Sequence, residues 1–455
     1  MEQFDLIVIG GGPGGYLCAE RAAQGGLKSA VIEAKHMGGT CLNEGCIPTK
    51  TLLNSAKMYR HATESAVYGV TCEGAKFDHA AVIERKGRVV KTLVSGVEGA
   101  MRANKVKVIR AAAEIQGRAN GLIEVAAGGE VYAAKRLVIA TGSEAVVPPI
   151  PGTKEGMERG FVVTNREMLS QTTLPKELVV IGAGVIGLEM AVYFASVGVH
   201  VTVIEMMGKI AGPIDAEISK LLQDDYTKRG MDFKLNSKVL RITENSVVYE
   251  QDGKEQEVKC DSVLMSAGRR SVIKGVGIEK LGIETERGAI VTDRHMCTNV
   301  PGVYAVGDCN GKMMLAHTAY REAEVAVNHM LGIADEMKYN AITSVLYTDP
   351  EVATIGETKE SAQEKGMTVK EVKLPLIYSG RYVAEVENGN GFIKLVVDTD
   401  RKRLVGCHMV GSYASEILMT VAMMIDTELP PERLKKLVFP HPSVCEAIRE
   451  ALFHI

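Results

Sequence analysis

The sequence predicts an α/β fold in which one parallel-sheet unit is built twice and followed by a different terminal segment. Three observations predict it. The run Leu6-Ile-Val-Ile-Gly-Gly-Gly-Pro-Gly-Gly15 returns as Leu178-Val-Val-Ile-Gly-Ala-Gly-Val-Ile-Gly187. Both enter Gly-x-Gly-x-x-Gly, continue into a helix-like stretch and reach a second apolar run, Lys28-Ser-Ala-Val-Ile32 or His200-Val-Thr-Val-Ile204. Each second run ends in an acid, so that Gly10, Gly12, Gly15 and Glu33 map onto Gly182, Gly184, Gly187 and Glu205 at one constant offset of 172. One such fingerprint is weak; two with matched strand, helix and acid outweigh the reading of a Gly-rich turn in an ordinary α/β domain.

The chemistry of the unit follows from its residues. Glycines let the backbone turn tightly and approach a pyrophosphate, which sits on the N-terminus of the following helix. The acid accepts hydrogen bonds from a ribose hydroxyl pair. The units are therefore Rossmann-like, and the chain is expected to hold two adenine dinucleotides.

Between the fingerprints lies Gly38-Gly-Thr-Cys41-Leu-Asn-Glu-Gly-Cys46-Ile-Pro-Thr-Lys50. Two buried, unrelated cysteines are the plain alternative, since a free Cys packs as a small hydrophobe. In a regular helix the two Cα atoms would stand roughly 8.7 Å apart, beyond disulfide range. A bridge therefore needs a distorted backbone, for which Gly45 and Pro48 flank Cys46. A dithiol set between two dinucleotide units predicts electron transfer among nicotinamide, flavin and disulfide.

Composition agrees. The 455 residues suggest about three domains, and 46% apolar content suffices for large cores. A net charge of −3 gives no footprint for nucleic acid, and no Cys/His cluster predicts a metal. The nine cysteines are scattered, which suits a reducing compartment with one catalytic pair. The first strand is expected by about residue 4, leaving no room for a signal peptide, and no apolar run approaches the ~20 residues of a membrane span. The expected location is the cytoplasm, with no membrane partner.

Four segments are expected. Residues 1–145 hold the first unit, the Cys pair and the strand Arg136-Leu-Val-Ile-Ala-Thr-Gly-Ser143. Pro148, Pro149 and Pro151 mark a linker. Residues 146–268 hold the second unit and end in Asp261-Ser-Val-Leu-Met-Ser-Ala-Gly268. Residues 269–335 contain Gly302-Val-Tyr-Ala-Val-Gly-Asp308, and residues 336–455 alternate β-runs with helical stretches before Phe439-Pro-His441-Pro-Ser-Val-Cys-Glu446.

With these motifs in this order across the whole chain, the sequence resembles the flavoprotein disulfide reductases, class I of the pyridine nucleotide-disulfide oxidoreductases. Ala140-Thr-Gly142 and Tyr347-Thr-Asp-Pro-Glu351 match as well. The resemblance implies two Rossmann-like domains, for FAD and NAD, plus a C-terminal α+β dimerisation domain. It implies FAD at the first unit, with Gly10, Gly12, Gly15 and Glu33 toward the adenosine and with Gly142, Asp308 and Ala316 also on the cofactor. It implies the pyridine nucleotide at Gly182, Gly184, Gly187, Glu205 and Gly268. Lys50 is expected near flavin N5 with Glu189 as partner. Cys46 is expected to face the flavin, Cys41 to exchange with substrate sulfur, and His441 to act as acid–base oriented by Glu446. In this family the terminal domain forms a homodimer and donates that His to the other subunit's thiols.

The resemblance is closest to members that oxidise dihydrolipoamide. Glu205 favours NAD, since an acid there repels a 2′-phosphate, and Met206, Met207, Gly208 and Lys209 follow it instead of the arginines of NADPH-using relatives. The tail Ala451-Leu-Phe-His-Ile455 lacks the cysteine pair of mercuric reductases. The lipoyl group is expected on a partner protein of a 2-oxoacid dehydrogenase, acetoin or glycine cleavage system. The alternatives are another NAD(P)H-dependent reductase of low-molecular-weight disulfides and a non-enzymatic flavin-binding scaffold. Two residues depart from the family pattern. Glu44 stands between the cysteines in place of an apolar residue: a negative charge close to the thiols disfavours a thiolate, whereas a solvent-facing Glu does little. Phe439 replaces a His two before His441 and is expected to alter the substrate channel.

Overall fold

The computed structural model describes residues 1–455. Three sheets organise it. In the first, Lys107–Arg110, Ser29–Glu33, Glu2–Ile9 and Glu130–Ile139 lie in that order. All three pairings along it are parallel. Val303–Ala305 adds a further parallel strand against Leu137–Ile139, and Ala113–Ala119 and Leu122–Ala127 form an antiparallel flap on the other half of Glu130–Ile139. The unbroken apolar run Leu6–Ile9 is buried throughout, as expected of a parallel strand covered on both faces. Helix Pro13–Gln24 packs on one face beside Ala316–Met330.

The second sheet repeats this plan in the order Asp232–Lys234, His200–Ile204, Glu177–Ile181, Ser262–Met265 and Val162–Val163, all parallel. Its antiparallel flap is Ser237–Ile242, Ser246–Gln251 and Lys254–Lys259. The chain leaves the first unit and re-enters it through two short antiparallel strands, Ser143–Ala145 and Arg269–Ser271. The second unit is thus inserted into the first.

The third sheet is antiparallel, ordered Thr343–Leu346, Val352–Gly356, Arg403–Val410, Phe392–Asp398 and Val369–Pro375. Helices Ala414–Asp426 and Glu446–Phe453 cover it with buried Leu418, Val421, Ile448 and Leu452. Lys394, buried in this sheet, reaches Asp215 of the second unit at 2.9 Å, locking the terminal segment to the nucleotide units. No helix is long and apolar enough to cross a membrane.

Candidate active site and nucleotide sites

The two glycine loops are built alike. Gly10 has φ +105° and Gly182 has φ +101°. A Cβ would lie 2.2 Å from the Ala140 carbonyl oxygen at Gly10 and 2.4 Å from the Ser266 carbonyl oxygen at Gly182, so only glycine fits. Helices Pro13–Gln24 and Val185–Ser196 begin at Gly12 and Gly184, and neither has a side-chain cap. Their first N–H groups are therefore open to a pyrophosphate. Glu33 accepts from Gly11 N at 2.6 Å and from Lys35 N at 2.7 Å. Glu205 accepts from Ala183 N at 2.7 Å and from Met207 N at 2.8 Å. The same offset of 172 that relates the motifs relates these bonds. Gly15 and Gly187 press against the Gly10 and Gly182 carbonyls.

The thiol pair sits on a broken helix. Gly39–Glu44 ends, and Cys46–Thr63 begins, at Gly45 with φ −145° and ψ −108°. Pro48 lies inside the first turn of the second helix, so the break expected of Gly45 and Pro48 belongs to Gly45 alone. Cys41 and Cys46 are free thiols. A hydrogen bond from Cys41 lowers Cys46 to about 7 against the cost of burial, and Lys50 lowers it further. Cys41 is raised, first by giving that hydrogen bond and then by burial.

Lys50 Nζ meets both Glu189 oxygens, at 2.9 and 2.8 Å, and Glu189 is only 3% exposed. The pair expected between these residues is therefore present. Tyr347 completes it: its N–H reaches Glu189 Oε1 at 3.0 Å, and its ring lies 4.5 Å below Lys50 Nζ. Within the motif Tyr347-Thr-Asp-Pro-Glu351 nothing local marks this role.

Asp308 is bonded through its carboxylate to Ser143 Oγ and through its carbonyl to Ser271 Oγ at 2.6 Å. Arg269 holds Ser143 Oγ and the Ser143 carbonyl, both at 2.8 Å. The crossing strands thus fix Asp308, and nothing local in the sequence marks Ser143 and Ser271 as its partners or Arg269 as the residue that holds Ser143. Gly142 and Gly268 accept from Val272 N and Val146 N in the same crossing. Ala316 is the first residue of helix Ala316–Met330.

On the terminal domain His441 Nδ1 and Glu446 Oε1 are 2.9 Å apart, and Glu446 Oε2 accepts from Ser443 N at 2.9 Å. These bonds, the Ser443 amide first, hold Glu446 below the ordinary carboxyl range. His441 is 79% exposed on its side chain, and no hydrogen bond joins it to either thiol of its own chain. Phe439 packs partly buried against the terminal core.

Glu44 is not an isolated charge beside the thiols. Arg166 Nε lies 2.7 Å from its carboxylate, so its charge is neutralised.

Residues 4–323 match the family described as pyridine nucleotide-disulphide oxidoreductase, and residues 342–452 match that family's dimerisation domain. The chain belongs to this family. As a pyridine nucleotide-disulphide oxidoreductase it is an enzyme that uses FAD and NAD, and its dimerisation domain supports a homodimer. It is 35% identical to the mitochondrial dihydrolipoyl dehydrogenase of Pisum sativum over 99% of this chain and 91% of that one. It is 37% identical to dihydrolipoyl dehydrogenase 3 of Pseudomonas putida over 100% and 98%. The HOCl-induced flavoprotein disulfide reductase RclA of Escherichia coli superposes with a TM-score of 0.87 at 27% identity, covering 100% of both chains.

Proposed function

We propose that the chain oxidises protein-bound dihydrolipoamide to lipoamide and reduces NAD+ to NADH through Cys41, Cys46 and FAD. The observation that carries the reading is the thiol pair. A partly buried thiol lowered to about 7 beside a Lys50–Glu189 ion pair, with a second thiol held protonated next to it, is a dithiol divided into two roles. The whole-chain likeness to dihydrolipoyl dehydrogenases supports the substrate.

FAD fits the first unit and segment 269–335, and NAD fits the second, on their uncapped helix ends and the close glycine contacts. FAD supplies the two-electron acceptor between the thiols and NAD+. His441, oriented by Glu446, takes the substrate thiol proton. The substrate thiolate attacks the Cys41 sulfur of the oxidised pair, and exchange leaves Cys46 as thiolate. Lys50 stabilises that thiolate, and Glu189 keeps Lys50 in place. Because His441 points to solvent, it serves the thiols of a second copy, with residues 336–455 as the interface. The lipoyl arm arrives on a partner of a 2-oxoacid dehydrogenase, acetoin or glycine cleavage system, in the cytoplasm.

The likeness to RclA supports a second reading, reduction of a low-molecular-weight disulfide. Steady-state rates with NADH and NADPH against lipoamide and glutathione disulfide separate the two. A preference for glutathione disulfide or NADPH overturns the first. Cys46→Ser is expected to abolish the long-wavelength absorbance of the reduced enzyme, whereas Cys41→Ser keeps it without reductant. If the absorbance survives Cys46→Ser, the thiol roles are reversed.

A further inference from the structure

Between the two thiols this chain carries a carboxylate, and the fold answers it from the second nucleotide unit. Arg166 Nε stands 2.7 Å from Glu44 Oε2, and Asn165 Nδ2 donates to the Glu44 carbonyl at 2.6 Å. Side chain and backbone of one residue are gripped at once, immediately before the Gly45 break that sets the spacing of the thiols. The gripping segment is itself capped and anchored in a core. Thr164 and Glu167 form a reciprocal cap over it. Met168 and Leu169, buried just behind, share a core with Leu52 and Ala56 of the Cys46 helix.

An unpaired carboxylate at Glu44 would disfavour the Cys46 thiolate. We propose that Arg166 is a positioning residue that pins and neutralises Glu44, so that an acid between the redox thiols leaves Cys46 free to ionise; the proposal rests on the reading of Cys46 as the thiolate beside the flavin. Asn165 fixes the backbone, and Arg166 supplies the charge. The other groups facing Cys46 are Cys41, Lys50 and Glu189, with Arg269, Tyr320 and Tyr347 further out. Of the cations among these, Arg269 directs its hydrogen bonds to Ser143. Lys50 is committed to Glu189. Only Arg166 is paired with Glu44.

The test titrates the long-wavelength absorbance of the reduced holoenzyme with pH, alongside the pH dependence of iodoacetamide alkylation at residue 46 read by mass spectrometry. Arg166→Met is expected to raise both midpoints by about 0.5 to 1 unit. Arg166→Lys keeps the cation and is expected to restore most of the shift. Glu44→Val together with Arg166→Met is expected to return the midpoint to that of the unmodified enzyme. Asn165→Ala removes the backbone bond without changing charge and is expected to leave the midpoint in place. An unmoved midpoint in Arg166→Met overturns the proposal, as does an equal shift in Asn165→Ala or a shift that persists in the double variant. Cys46→Ser is the separate control: an absorbance that survives it refutes the thiol assignment, whereas its loss with an unmoved Arg166→Met midpoint refutes only the role of Arg166.

Discussion

Gly12 and Gly184 occupy equivalent places in the two nucleotide units, yet one is roofed and the other open. In both units the loop after the acid returns to the glycine turn: Gly38 N bonds the Gly11 carbonyl and Ala211 N bonds the Ala183 carbonyl, each at 2.8 Å. Only in the first does the chain then close over the middle glycine. A Cβ on Gly39 would lie 2.6 Å from Gly12 Cα, whereas nothing stands within 4 Å of a Cβ on Gly184. Met206 and Met207, beside the second acid, are 68% and 66% exposed. The same loop geometry is thus covered in one unit and open in the other. The roofed unit suits a nucleotide that stays, and the open one a nucleotide that must leave at each turnover.

The largest expected effect lies outside both units and isolates them. His441→Gln is expected to lower dihydrolipoamide oxidation by about two to four orders of magnitude, the scale of a lost general base, while flavin content and NADH-to-dye electron transfer stay near normal. Glu446→Gln is expected to fall less. If both activities fall together, the terminal domain does more than move a proton.

Next comes the roof. Gly39→Ala forces a backbone contact at φ +57° and is expected to weaken FAD retention about 10- to 100-fold, as overpacking of a close contact costs about 1–3 kcal/mol. Gly184→Ala is expected to keep full flavin absorbance and raise only the KM for NADH. Equal flavin loss in the two variants would break the comparison.

Smaller again is the effect at the second acid. Glu205→Ala is expected to narrow the preference for NADH over NADPH by about tenfold in kcat/KM, the scale of one charge-assisted hydrogen bond. Unchanged discrimination would remove Glu205 from cofactor choice.

The smallest is a pH effect on the reduced enzyme. Cys46 is lowered from the ordinary thiol range to about 7, led by the Cys41 hydrogen bond. Ionised Cys46 therefore stabilises the reduced fold fully above the ordinary thiol pKa, and that contribution is lost as pH falls through about 7. The Tm of the reduced protein is expected to fall by a few degrees over this window, and the slope is expected to vanish in Cys46→Ser.

The repeat, both acids and the thiol pair are legible in the sequence because their geometry is local. Glycine conformations and the strand-to-acid spacing are set within one unit. What escaped reading is what the fold brings from afar. Val303–Ala305 shows as a strand, but not as the partner of Leu137–Ile139. Tyr347 under Lys50 and Arg269 on Ser143 carry no local mark. The pairing of Glu44 is hidden for the same reason, since the cation that answers it belongs to another unit. Lys50 and Glu189 were found only through the family's likeness; by residue type alone they are two helix charges.

The insertion of one unit into the other has a consequence for the nascent chain. The first sheet lacks its strand Val303–Ala305 until residue 305 has left the ribosome. Buried Glu322, which accepts from Gly307 N at 2.6 Å and Asn310 at 2.9 Å, follows later still. A chain growing from its N-terminus therefore completes the entire second unit while the first remains unfinished. The protein's earliest residues wait for roughly the last third of translation to acquire their full surroundings, and the proposed FAD site is not complete before then.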